Sequence, residues 1–207
     1  MKAILADEKF LRLVNPIAQK TLKKCEAVLK PNESYAVSIT PTSDPFIIKK
    51  MNGASGFTSN RQKMSIEIST KAKNWKKWLS NVLVHEFNHI VRMQRLNIRG
   101  YYGGTLSGSI AMEGLAMVFE EEITGNLPPY AHAVSKKKAS LLWAKIRKYK
   151  KADYYRRFFT NAGDPKYPLW CGYTIAYLIV KKRKKELGVP WKKLIGMPTE
   201  ELVRSGL

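Results

Sequence analysis

The sequence predicts an α+β fold, with a small N-terminal β-sheet followed by a mainly helical body. Three observations point there. A chain of 207 residues that is 44% hydrophobic and 26% charged suits one folded domain and excludes a disordered or collagen-like polymer. Between Ser34 and Thr70 short β-like runs alternate with turn signals. After Lys71 apolar residues recur almost throughout at helical spacing. The expected organisation is a single domain over residues 1–207, comprising an N-terminal helical segment (1–33), a small sheet (34–70) and a helical body (71–207).

In the first segment, residues 4–29 place Leu11, Val14, Ile17, Ala18 and Leu22 on one helical face, and Pro31-Asn32 ends the pattern. The β-like runs are Tyr35 to Ile39, Phe46-Ile47-Ile48 and the alternating Met64-Ser65-Ile66-Glu67-Ile68, punctuated by Asn52-Gly53 and Gly56. Helices are expected at about 74–96, 105–124, 135–160 (broken near Ala152), 168–187 and 198–205. Neither an internal repeat nor a low-complexity stretch interrupts them.

Thirty-seven Lys and Arg against sixteen Asp and Glu leave a net charge of +21, which raises the question of an anionic partner. The excess is spread along the chain: +4, +7, +3 and +7 in residues 1–50, 51–100, 101–150 and 151–207. Neither Lys136 to Lys138 nor Lys181 to Lys185 carries the aromatic and glycine interleaving of an RNA-binding sheet. The charge therefore predicts nonspecific attraction to polyanions. Cys25 and Cys171 are too few for a disulfide framework and too far apart for a zinc knuckle, so both are expected to be reduced and inert. No apolar run approaches the roughly 20 residues of a membrane helix. The opening MKAILADEKF places Asp7 and Glu8 where a signal peptide needs apolar residues. A cytoplasmic location is the default expectation.

His85-Glu86-Phe87-Asn88-His89 is an HExxH motif inside a predicted helix. Residues i and i+4 stack one above the other, so both imidazoles reach a single Zn²⁺, and Glu86 is placed to act as general base on water. Asn81, His85, Asn88, His89 and Arg92 form one polar stripe of that helix, whereas Glu86 falls among Leu79, Val82 and Met93, where an ionised carboxylate is costly without a cation or a wet cleft. A catalytic zinc takes a third protein ligand and leaves one position for water. Glu113 is the strongest candidate, as the only charge between Ser109 and Phe119, with Gly114 beside it permitting close helix approach. His132, in a Pro-flanked loop, is a second candidate. Glu120 is a third, although beside Glu121 and Glu122 it reads as part of an exposed helix end. Arg92 is expected to hold the neighbourhood of Glu113 by a salt bridge. Tyr173 is a candidate donor to the developing oxyanion, with His132, Tyr101 and Tyr102 as rivals. Gly100 to Gly104 is expected as a rim or connector between the two metal-bearing helices.

HEFNH with Arg92 three residues on, followed by Glu113-Gly114-Leu115-Ala116, resembles the HExxH…EGLA pattern of the DUF2268 (YjaZ-like) family of predicted bacterial zinc-dependent proteases. Trp170-Cys171-Gly172-Tyr173 and the stretch from Leu187 to Leu207 are also similar to that family, so the resemblance spans roughly residues 60–207. It implies a zincin-like, gluzincin-type metallopeptidase domain that binds one Zn²⁺ per chain through His85, His89 and Glu113 and takes peptide or protein substrates. Met64 to Ser69 is the expected edge strand for an extended peptide. The alternative is a nucleic-acid-associated basic protein. DNA-associated proteases of the SprT type pair HExxH with a third histidine, for which this chain offers only His132.

Overall fold

The computed structural model describes residues 7–98, 104–160, 166–204, 206 and 207. Helix α1 (Glu8–Leu29) opens on Asp7, whose side chain accepts from the backbone N–H of Lys9, and closes where Lys30 turns left-handed at φ 47°. Its buried stripe, Phe10, Val14, Ala18, Thr21, Cys25 and Leu29, repeats every three or four residues and packs on the long helix α3 (Trp75–Arg95).

The sheet has three strands: β1 (Ala36–Pro41), β2 (Ala54–Asn60) and β3 (Lys63–Ile68), in the order β1-β3-β2. β3 runs parallel to β1 and antiparallel to β2. Met64, Ile66 and Ile68 of β3 face the core, with Lys63, Ser65 and Glu67 on the opposite face. β3 is thus the central strand, and the expectation that Met64 to Ser69 forms an edge is corrected: the two edges are β1 and β2. Phe46-Ile47-Ile48 is helical, in α2 (Pro45–Lys50), not extended. Asp44 caps that turn by accepting from the N–H groups of Phe46 and Ile47, and Pro45 presets its first residue, which overrides the β propensity of Ile47-Ile48.

α3 lies between the sheet and α1 on one side and α4 (Leu106–Thr124) on the other. From Val82 to Gln94 every α3 residue is buried. α4 in turn packs on α6 (Cys171–Leu187), and Gly114 makes that approach possible: a Cβ there would stand 2.4 Å from the carbonyl oxygen of Ala176. One apolar core fills the space among α1, the sheet and the first half of α3, and a second fills the helical body.

The helix expected over 135–160 ends much earlier than Ala152. α5 covers Lys136–Ile146, the basic run Arg147 to Lys151 breaks the pattern, and a short π-helical turn follows at Arg156–Thr160. The helix expected from 168 starts at Cys171, because Pro168 precedes it and Trp170 is left-handed at φ 64°. Two short helices, α7 (Trp191–Leu194) and α8 (Thr199–Val203), close the fold. Arg92 does not pair with a carboxylate beside Glu113. Its buried guanidinium donates to the carbonyls of Ile195 and Met197 and to the Thr199 hydroxyl, tying α3 to the α7–α8 link. Among the described residues, no helix is long and apolar enough to cross a membrane.

Candidate metal centre

One turn of α3 separates His85 from His89, and their rings stand nearly perpendicular with centroids 4.8 Å apart. α4 brings Glu113 against both, its Oε2 lying 3.2 Å from His85 Nε2 and 3.6 Å from His89 Nε2. A ligand atom from each of the three residues lies within 4.8 Å of the others, and all three side chains are buried. Four donors arranged tetrahedrally at zinc–ligand distances near 2.05 Å are about 3.3 Å apart, so two imidazoles and a carboxylate at this spacing fit a zinc ion in donor type and in reach. His132 ends a short 3₁₀ turn (Pro129–His132) with its side chain exposed and is not part of the group.

Glu120 departs from expectation. It is not on an exposed helix end but is 1% exposed, with Oε2 3.2 Å from His85 Nδ1 and Oε1 accepting from Asn81 Nδ2 at 2.7 Å. One imidazole therefore touches a different carboxylate through each nitrogen. Glu121 and Glu122 do face outward, where they pair with Lys181 and Lys184.

The electrostatics show what this cluster demands. Burial alone lowers the pKa of His85, but the hydrogen bonds to Glu113 and Glu120 overcome it and raise the imidazole to about 10. Burial alone raises Glu113, but the charge of His89 and the hydrogen bond from His85 bring it down to about 2. The acidity of Glu120 is weakened by its own burial. Three buried carboxylates, Glu86, Glu113 and Glu120, thus surround two imidazoles and call for a positive charge between them. A divalent cation meets that need.

Glu86 lies on the same helix but turns toward β2. Its Oε2 accepts from the Thr58 hydroxyl at 2.7 Å, and that hydroxyl also reaches the Glu86 carbonyl at 3.1 Å. Gly56 provides the room: a Cβ there would stand 2.5 Å from Glu86 Cγ and 2.8 Å from Val82 Cγ2.

A cleft of about 190 Å³ opens over these groups, with β2 residues Ala54 to Phe57 on one wall. Tyr130, Tyr155 and Tyr173 line the other. Tyr173 is half-buried, with its hydroxyl 3.0 Å from that of Tyr155, which donates to Glu113 Oε1 at 3.4 Å. Tyr130 stands edge-on to His85, and burial beside the carboxylates pushes its hydroxyl well above the usual tyrosine range. Trp170 packs edge-on against Tyr130 and Phe46. The rivals Tyr101 and Tyr102, and the stretch Gly100 to Gly103, lie outside the described residues.

Sequence reasoning weighed Glu120 but set it aside as part of an exposed helix end, and it did not single out Gly56, Tyr130 and Tyr155 of the cleft or Thr58, which holds Glu86. Glu120 carried a usable signal: seven residues from Glu113 is two helical turns, hence the same face of α4. Tyr155 carried none, because the short helical turn that leads into Arg156–Thr160 is too brief to show a face in the sequence.

Neither curated proteins nor solved structures yielded a match to this chain. A family described as "Predicted Zn-dependent protease (DUF2268)" matches residues 14–204, which extends the resemblance across α1 and the sheet as well as the HExxH helix. The chain belongs to the DUF2268 family.

Proposed function

We propose that this protein is a zinc-dependent metallopeptidase, with zinc held by His85, His89 and Glu113. The observation that carries the reading is the convergence of two imidazoles and an isolated carboxylate from α3 and α4 at the floor of a cleft, with a further carboxylate, Glu86, beside them. When bound, zinc supplies Lewis-acid activation of water and of the scissile carbonyl. Glu86, aimed by Thr58, takes the proton of the attacking water and returns it to the leaving amine. Tyr173 donates a hydrogen bond to the oxyanion that develops on the carbonyl, and its contact with Tyr155 orients the hydroxyl. Glu120 fixes the tautomer and ring orientation of His85 from the Nδ1 side.

The free edge of β2 borders the cleft, in place of the strand expected from the sequence. An extended peptide added along that edge lies across the three ligands, with the backbone supplying most of the recognition. Elemental analysis of purified protein, coupled to a casein or peptide-library digest, tests the reading. About one zinc per chain and cleavage that stops on chelation are expected. Zinc-loaded protein that leaves every peptide intact would refute it.

A further inference from the structure

Next to the cleft lies a groove of about 430 Å³ between α1 and the first turns of α3, and its lining carries four exposed lysines: Lys20, Lys24, Lys76 and Lys77. No carboxylate contributes to the lining, and among the described residues none of the four lysines is in an ion pair. A lysine-lined groove over α6 differs in this respect. There Glu121 neutralises Lys181 and Glu122 neutralises Lys184.

Two of the four lysines, Lys76 and Lys77, stand where they cost stability. α3 has no acidic residue in its first turn and no side-chain cap on Asn74, so Lys76 and Lys77 meet the positive end of the helix dipole unrelieved. Exposed Lys71 and Lys73 precede that turn, and exposed Lys23 flanks the pair on α1. Uncompensated like charge held at one place by two helices is what an anionic ligand offsets.

The groove is continuous with the cleft. Asn81 lines both, nearly fully buried, with an Oδ1 that has no hydrogen-bond partner among the described residues. The ammonium of Lys77 sits 5.1 Å from the centre of the Trp78 ring, which forms part of the cleft wall. Along α3, Lys77 is two turns before His85, about 12 Å of helix rise, a distance that about four residues of extended peptide span.

We infer that this groove holds acidic side chains of the peptide substrate, so that the enzyme selects bonds with Asp or Glu about four residues away on the side running over the start of α3. The selection rests on the peptidase reading, whereas the binding does not. An acidic peptide is favoured over a nucleic acid because the groove joins a cleft bordered by a free β-edge, which takes a peptide backbone, and offers no exposed aromatic platform for bases.

Two measurements test it. In the first, a short fluorescein-labelled peptide of alternating Ala and Glu is titrated against wild type, against the groove variant Lys20→Glu/Lys24→Glu/Lys76→Glu/Lys77→Glu, and against the charge-matched control Lys137→Glu/Lys138→Glu/Lys192→Glu/Lys193→Glu at exposed positions outside the groove. An oligothymidylate of matched charge is the competing probe. Acids in the first turn of α3 favour the helix, so the groove variant is expected to melt no lower than wild type. The peptide should bind the groove variant about ten-fold more weakly or worse and the control unchanged. Equal loss in both variants would reduce the groove to diffuse attraction, and tighter groove-dependent binding of the oligothymidylate would make it a nucleic-acid face. Either result overturns the inference. In the second, zinc-loaded wild type and groove variant digest one peptide library. Asp and Glu enriched about four residues from the cut bond in wild type, and not in the variant, support the selection; cleavage without that preference overturns it. Groove-dependent peptide binding with no cleavage at all would count against the peptidase reading and leave the acidic-peptide site standing.

Discussion

Glu113 and Glu120 stand two turns apart on α4 and touch opposite nitrogens of the same imidazole. Their substitutions should therefore differ in kind. Glu113→Gln removes the proposed ligand and should abolish tight zinc retention while leaving α4 intact, since Gln and Glu have similar helix propensity. Glu120→Ala leaves the ligand set but frees His85 to rotate, and should weaken zinc by about 10- to 100-fold. His132→Ala, exposed and remote from the group, should retain zinc. A competitive titration against a chelator ranks the three, and loss of zinc in His132→Ala with retention in Glu113→Gln would overturn the assignment. The proposed ligands were legible in the sequence because each stands out locally: two histidines at i and i+4 around a glutamate in an HExxH motif, and one carboxylate in an apolar run. Glu120 was obscured because Glu121 and Glu122 beside it read as a solvated helix end, although its spacing from Glu113 places it inside. Tyr155 reaches Glu113 from a turn whose position no periodicity encodes.

At the level of elements, β2 and α3 are held together where side chains are smallest. Gly56→Ala puts a methyl group into the space of Glu86 Cγ and Val82 Cγ2, so either β2 moves away from α3 or Glu86 leaves the Thr58 hydroxyl. Peptide hydrolysis should fall by about ten-fold or more with zinc content unchanged, because a small displacement of a general base is costly while the metal ligands lie elsewhere. Undiminished turnover in Gly56→Ala would show that the contact does not position Glu86. This element was the hardest to read beforehand. Ala54 to Asn60 buries only Ala54 and Thr58 and carries no β-branched alternation, so its glycine and serines read as turn punctuation. β3 was legible because it alternates strictly, but its place in the centre of the sheet depends on β2 and hence was not. The long helices α1, α3 and α4 emerged within a few residues of expectation because each carries an apolar face or run several turns long.

Over the whole molecule, α3 and α4 supply the three proposed ligands; α3 contributes to both cores, and α4 to the core of the helical body. A cation bound there stabilises the folded chain by mass action, about 4 kcal/mol when free zinc is a thousand times its Kd. For a domain of this size, stripping the metal should lower Tm by about 10 °C, and readdition of zinc should restore it; a Tm indifferent to chelation would separate the buried carboxylates from any metal. The net charge of +21 was readable from composition, but the gathering of four of its lysines in one groove beside the cleft required the packing of α1 on α3. The central claim is that this centre hydrolyses peptide bonds, with zinc held by three residues and the proton moved by a fourth. Its most direct test is peptide-library turnover by Glu86→Gln beside wild type, with zinc content determined on the same samples. The account predicts equal zinc in both and turnover lower in the variant by about three orders of magnitude or more; turnover retained in Glu86→Gln, or zinc lost from it, would contradict the account.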